Sequence, residues 1–279
     1  MMMLDAGEGI QLALKKGGFG IAGLEVVAIT HLHADHVLGL PGIMMFRAQN
    51  DNPTPLTLIG PPGLARFVND VIQGLKCHIN YPYHIIEWNE HAPEIAHTWN
   101  DVALKWYPLN HSRFCLGYRL EEPARPGKFN LEKAVSLGIP KGPLFGRLQS
   151  GESIELSNGQ TISPESVLGP PRPGRCLGFA TDTRPCEGLT RTIAGTDIAF
   201  IEGMFAEKHA KEARKKKHMT TREAAEAAMN AGAARVVLVH ISPRYTTADE
   251  TLLAREAQEI LPTVEISKQL GVYPIPFTE

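Results

Sequence analysis

No window of the chain approaches the ~18 consecutive apolar residues of a membrane span. That excludes a bilayer-crossing helix. Cysteine is scarce, four in 279 residues, and Cys77, Cys115, Cys176 and Cys186 form no CxxC pair and no regular spacing. A zinc-finger array and a disulfide framework are both excluded, and free thiols are expected. Neither sign of charge prevails, since 28 Lys and Arg against 30 Asp and Glu leave a net −2, so a nucleic-acid partner cannot be read from the global balance. The first residues, MMMLDAGEGI, lack a basic segment followed by an apolar one, so nothing marks the chain for export and a cytoplasmic location is expected.

What is present is a hydrophobic fraction of 43% and an alternation of strand and helix signals. LEVVAITHLH (24–33), LTLIG (56–60), TDIAFIEG (196–203) and ARVVLVHIS (234–242) are β-branched runs of the kind that form buried strands. Helical periodicity marks GLARFVNDVIQGL (63–75), TTREAAEAAMNAG (220–232) and ADETLLAREAQEIL (248–261). The pattern is that of an α/β protein, and the length suits one large α/β unit or two modest lobes. From about Glu121 to Pro173 the alternation breaks into Pro- and Gly-rich sequence with a hairpin signal at Asn158-Gly159. An inserted arm or small subdomain is expected there. The stretch Arg113 to Arg147 holds seven cations and three anions, a local net of +4.

The densest chemistry is THLHADHVLG (30–39), three histidines and an aspartate within six positions. If the preceding strand runs to His33, then His31 and His33 project from one face at its carboxyl end. Asp35 and His36 follow where the chain must turn. Imidazole and carboxylate are the usual ligands of catalytic zinc, and a structural role for one histidine does not explain three. Further ligands must sit at other strand ends on the same sheet edge. His111, Asp182 and His240 each close an apolar run and meet that requirement. His78, His84, His91, His97 and His209 do not.

Here the residues carry a family resemblance. His31-Leu32-His33-Ala34-Asp35-His36, with His111, Asp182 and His240, resembles the HxHxDH signature and remaining ligands of the metallo-β-lactamase superfamily. DAGEGIQ (5–11), GPLFGRL (142–148), TDTRP (181–185), KHMTTREAA (217–225) and HISPRY (240–245) are similar to motifs of ribonuclease Z, the endonuclease that trims the 3′ trailer from precursor tRNA. The resemblance spans essentially the whole chain. It implies an αββα sandwich, residues 1–279, with an inserted tRNA-binding arm at 121–173. It assigns His31, His33 and His111 to one zinc, Asp35, His36 and His240 to a second, and Asp182 to both. Two Zn²⁺ per chain are expected, with Mn²⁺ as a substitute. Family members begin with further residues that form the first strands, so those strands are expected to be missing here.

The resemblance also implies catalytic roles. Asp35 orients the attacking water, and His218, with Glu202 behind it, protonates the leaving oxygen. The residues themselves agree in one respect: Thr220 and Glu223 make a capping box, so His218 stands just ahead of a helix N-terminus, where an anionic phosphate is favoured. The family pattern is departed from at Ile201 and Met219. Substrate contacts are expected from Arg125, Lys128, Lys141 and Arg147 on the arm and from Arg244, phosphate contacts that carry no sequence information. A homodimer acting on precursor tRNA follows from the same resemblance. Two other readings are open: a hydrolase of the same fold acting on a small phosphodiester, thioester or sulfate ester, and an inactive tRNA-binding relic. Turnover of precursor tRNA against small esters separates them.

Overall fold

The structure is a computed structural model and describes residues 1–49 and 53–277. It divides into two compact units, one of Met1–Glu121 with Cys176–Ile275, the other of Glu122–Arg175 with the chain end from Pro276. In chain order the strands are β1 (Met2–Leu4), β2 (Val26–Ala28), β3 (Leu56–Gly60), β4 (Tyr83–Glu87), β5 (Ile95–Trp99), β6 (Val102–Leu109), β7 (Cys115–Glu121), β8 (Ile154–Glu155), β9 (Thr161–Ile162), β10 (Cys176–Ala180), β11 (Ile198–Glu202), β12 (Val236–Val239) and β13 (Val264–Ile266).

The first unit is an αββα sandwich. One sheet, in the order β1-β2-β3-β4, is parallel throughout. The other, in the order β13-β12-β11-β10-β7-β6-β5, is parallel from β10 to β13 and antiparallel from β10 through β7 and β6 to β5. Strand β2 shows why the sequence builds layers. Its side chains alternate between faces: Val26 and Ala28 pack with Leu104, Trp106, Leu116 and Tyr118 between the sheets. Val27 and Ile29 face the other way, onto Leu40, Ile43, Leu64 and Val68 of the outer helices. A continuous apolar run is therefore what a strand covered on both faces requires. The second sheet is covered likewise, Ala199, Ile201, Val236 and Leu238 packing on Ala224, Ala225 and Ala228 of the helix Thr221–Ala231. Alanines there keep the helix close to the sheet.

Strand β2 is shorter than the sequence suggests. It ends at Ala28 rather than reaching His33, because the next backbone groups are claimed elsewhere. Ile29 N still donates to Ile59 O at 2.8 Å, but Thr30 N donates to the carboxylate of Asp5 at 2.7 Å. His33 then caps a four-residue helix, Ala34–Val37.

The second unit has a core of its own. Helices Leu131–Ser136 and Pro143–Gln149 and the β8–β9 hairpin enclose Ala134, Ile139, Leu148, Ile154, Ile162 and Val167. Gly159 turns the hairpin with φ +82°, the left-handed region that favours glycine. At its neck, Arg125 and Arg172 exchange backbone hydrogen bonds of 2.7 and 2.9 Å, and the Arg175 guanidinium donates to Glu122. Between Glu122 and Arg175 seven cations accompany five carboxylates, a net of +2. The higher local charge seen in the sequence included Arg113 and Arg119, which belong to the sandwich.

Candidate metal centre

Each chemistry-bearing residue follows the carboxyl end of a strand. His31 and His33 lie after β2, Asp35 and His36 on the short helix Ala34–Val37, His111 after β6, Asp182 after β10 and His240 after β12. The chain closes tightly behind them. A Cβ on Gly7 would collide with the carbonyl oxygen of Asp35, and one on Gly39 with that of Gly7, which explains glycine at those two positions. Asp182 and His240 have φ of +51° and +57°. For residues with a side chain this left-handed backbone costs of order 1–3 kcal/mol, strain that is held at functional sites.

The side chains fall into a set of four, His31, His33, His111 and Asp182, and a set of three, Asp35, His36 and His240, with the second oxygen of Asp182 beside two of the three. In the first, His31 Nε2 lies 2.9 Å from His33 Nδ1, His33 Nδ1 lies 3.4 Å from His111 Nε2, and Asp182 Oδ2 is 3.6 Å from both His31 and His111. In the second, His36 Nε2 and His240 Nε2 are 3.2 Å apart. Asp35 Oδ2 lies 3.6 and 3.5 Å from them, and Asp182 Oδ1 lies 3.4 and 3.3 Å away. A tetrahedron with metal–ligand bonds of about 2.0–2.1 Å has edges of about 3.3 Å. The four-residue set, and the Asp35, His36 and His240 set, have separations of that size.

Their outer hydrogen bonds fix which nitrogen faces inward. His36 Nδ1 donates to Asp5 Oδ2 at 2.7 Å. Thr30 Oγ1 donates to Asp5 Oδ2 at 2.9 Å and so accepts from His31 Nδ1 at 3.0 Å. His111 Nδ1 donates to Lys217 O at 3.2 Å. Three rings are thereby held in the tautomer whose Nε2 lone pair points at the cluster. Lone pairs that converge repel, and a cation between them resolves the repulsion. Asp182 Oδ1, buried and without a hydrogen-bond donor, requires the same. The residues present fit a pair of metal ions.

The electrostatics differ between the two sets. Burial, with His36 and His33 adding to it, pushes His31 down to about 2, and burial likewise lowers His33 and His111. Burial also acts against charge on His240, but the Asp35 and Asp182 carboxylates outweigh it and raise the ring to about 9. The His240 imidazole in turn holds the Asp35 carboxyl well below the usual carboxylate range.

His218 stands beside this cluster in the turn before the helix Thr221–Ala231, and the Thr220–Glu223 capping box is present. Its ring centroid is 4.9 Å from that of His111 and 5.6 Å from that of His240. Nδ1 faces the Glu202 carboxylate at 3.1 Å, which also accepts from Met219 N and Thr183 N. Burial raises the Glu202 carboxyl above its ordinary value.

Four of the expected substrate contacts lie on the small unit and one on the sandwich. Arg125 stacks on Phe277, 3.8 Å from the ring centroid, and donates to Pro173 O. Arg147 is paired with Glu152 at 2.9 Å. Lys128 and Lys141 are exposed on the same small unit. Arg244 belongs to the sandwich and forks onto Glu212 at 2.6 and 2.7 Å. Asp5, Thr30, Arg184 and Lys217 are also bonded to site residues, and nothing in residue type or spacing assigns a role to the last three. Asp5 closes an apolar strand just as His111 and His240 do, and that signal could have found it.

Comparison with known proteins bears on this arrangement. A family model described as "Anti-Pycsar protein Apyc1" matches residues 1–118, and one described as "Beta-lactamase superfamily domain" matches residues 158–241. The chain is 37% identical over 268 residues to a ribonuclease Z of Treponema denticola, covering 96% of this chain and 86% of that protein. It is 36% identical to a ribonuclease Z of Salinibacter ruber, covering 99% and 85%. Among solved structures it resembles the human short-form tRNase Z, with a TM-score of 0.66 at 18% identity over 99% of this chain and 88% of that one. It also resembles the metallo-β-lactamase fold protein YhfI of Bacillus subtilis, with a TM-score of 0.62 at 16% identity over 96% and 84%.

Proposed function

The chain belongs to the ribonuclease Z family of the metallo-β-lactamase fold, and from that premise we propose how its residues cut the 3′ trailer from precursor tRNA. It is a metal-dependent endoribonuclease of tRNA 3′ processing. The observation that carries the mechanism is the single Asp182 carboxylate, one oxygen facing His31 and His111 and the other facing His36 and His240, with the His218–Glu202 pair alongside.

His31, His33, His111 and Asp182 would hold one ion, and Asp35, His36, His240 and Asp182 the other. Zinc suits the five imidazoles and two carboxylates, and manganese is the natural substitute. When bound, such a pair supplies a hydrolytic nucleophile from water at neutral pH and neutralises charge building on the phosphodiester. Asp35, with its side chain 68% exposed, presents a carboxylate at the mouth that orients the attacking water and accepts its proton. His218 delivers a proton from Nε2 to the departing 3′ oxygen. Glu202 keeps the other proton on Nδ1 and stabilises the charged ring in the water-poor pocket.

The small unit Glu122–Arg175 serves as the tRNA-binding arm, Arg125, Lys128, Lys141 and Arg147 meeting phosphates and Arg244 contributing from the sandwich. The enzyme works in the cytoplasm as a homodimer. Among the described residues no helix is long and apolar enough to cross a membrane. The test is turnover of a 3′-extended precursor tRNA by the zinc-loaded chain, alongside a small aryl phosphodiester. Selective turnover of the RNA is the expected result.

A further inference from the structure

The loop carrying the shared carboxylate and the turn carrying His218 are tied together by two residues outside the ligand sets, Glu202, which accepts from Thr183 N and Met219 N, and Arg184. Arg184, two positions after Asp182, donates its backbone N–H to Asn110 O at 2.9 Å, next to His111. Its guanidinium reaches the opposite way. Nη1 donates to His218 O at 2.6 Å and to Glu223 Oε2 at 2.7 Å, and Nη2 donates to Glu223 Oε1 at 2.6 Å. Glu223 is the same carboxylate that accepts from Thr220 N at 3.0 Å. The pair is mostly buried, each side chain 17% exposed, and this bidentate fork is the strong, directional form of a charged hydrogen bond.

Around His218 the neighbouring backbone groups are also spoken for. His218 N donates to Ala213 O at 2.8 Å and Phe205 N donates to Met219 O at 3.2 Å. Met219 N donates to Glu202 at 3.1 Å. Among these ties, the one on the carbonyl of His218 itself comes from the Asp182 loop. A guanidinium fork has a fixed span, so it sets the distance between the two segments rather than merely attracting them.

We infer that Arg184 is a positioning residue: its fork on Glu223 and on His218 O holds the proton-donating imidazole at a fixed distance from the Asp182 carboxylate. This inference rests on the reading of His218 as proton donor. Arg184 touches no proposed metal-ligand side chain, so its loss acts on the placement of the acid and not on the loading of the ions. Misplacement of a reacting group by about 1 Å costs up to about 10²-fold in rate.

The experiment measures Arg184→Met, Arg184→Lys, His218→Ala and the Arg184→Met/His218→Ala double variant in the metal-loaded full chain, on precursor tRNA and on an aryl phosphodiester, with metal content and melting temperature recorded for each. Arg184→Met is expected to hold its metals and to lose about 10 to 10²-fold in kcat on RNA relative to its rate on the aryl ester, with KM unchanged. Arg184→Lys, which keeps the charge but not the fork, should recover part of the loss. The double variant should be no slower on RNA than His218→Ala alone, because a misplaced acid and an absent one are equivalent. Equal losses on both substrates, or a double variant slower than His218→Ala by the full Arg184→Met factor, would overturn the inference and leave Arg184 a structural tie. If His218→Ala itself slows both substrates alike, the donor reading fails and this inference fails with it.

Discussion

The Asp5 carboxylate accepts from His36 Nδ1 at 2.7 Å, and the same oxygen accepts from Thr30 Oγ1, which holds His31. One carboxylate thus orients a proposed ligand in each of the two sets. Partners of this kind typically contribute 10–100-fold in metal affinity. Asp5→Ala is therefore expected to weaken both ions by about that factor, read by chelator competition. Weakening confined to one ion would show that Thr30 holds His31 unaided.

Asp182 makes a sharper demand on stoichiometry. Since its two oxygens face different ligand sets, the wild-type chain is expected to bind about two ions and Asp182→Ala to lose affinity at both positions. Elemental analysis after reconstitution measures this. Retention of one tight ion in the variant would show that the carboxylate serves one set only.

A proton donor matters in proportion to the basicity of the leaving group. His218→Ala is expected to keep its metals and to lose about 10² to 10⁴ in turnover of RNA, but far less on an aryl phosphodiester, whose phenolate departs with little help. Parallel kinetics on the two substrates give the ratio, and a ratio near one contradicts the assignment.

Much of this site was legible before any coordinates. HLHADH compresses four candidate ligands into six positions, and His111, Asp182 and His240 each end an apolar run, so the chemistry is written in local sequence. The capping box at Thr220 likewise needs only two residues three apart. What local sequence could not carry was the strand end at Ala28. It is decided by Asp5, 25 residues away from Thr30, whose side chain takes the place of a ladder partner. The bond from Arg184 to Glu223 spans 39 residues and leaves no periodic trace. The small unit was visible as broken alternation, a hairpin signal and the GPLFGRL motif, but not as a packed core. Its core of Ala134, Ile139, Leu148 and Ile154 is spread over short elements, none of which has enough apolar residues to announce itself.

The neck of that unit suggests a clean deletion. Arg125 and Arg172 already pair across it, so residues 126–171 can be replaced by a two-residue turn. All seven proposed ligands lie outside the deleted span. The shortened chain is expected to keep its metals and its turnover of a small phosphodiester. Its precursor tRNA binding should weaken, with a shallower dependence on salt, because fewer phosphate contacts release fewer counterions. Unchanged tRNA binding across a salt series would make the unit an ordinary surface insertion.

The most direct test of the account is to incubate the zinc-loaded chain with an end-labelled 3′-extended precursor tRNA and map the products. A single cut at the 3′ end of the acceptor stem, leaving a 3′-hydroxyl on the tRNA and a 5′-phosphate on the trailer, is the result predicted by proton delivery from His218 to the departing 3′ oxygen. An intact precursor, under conditions where the same sample hydrolyses an aryl phosphodiester, would contradict it and identify the chain as a small-ester hydrolase instead.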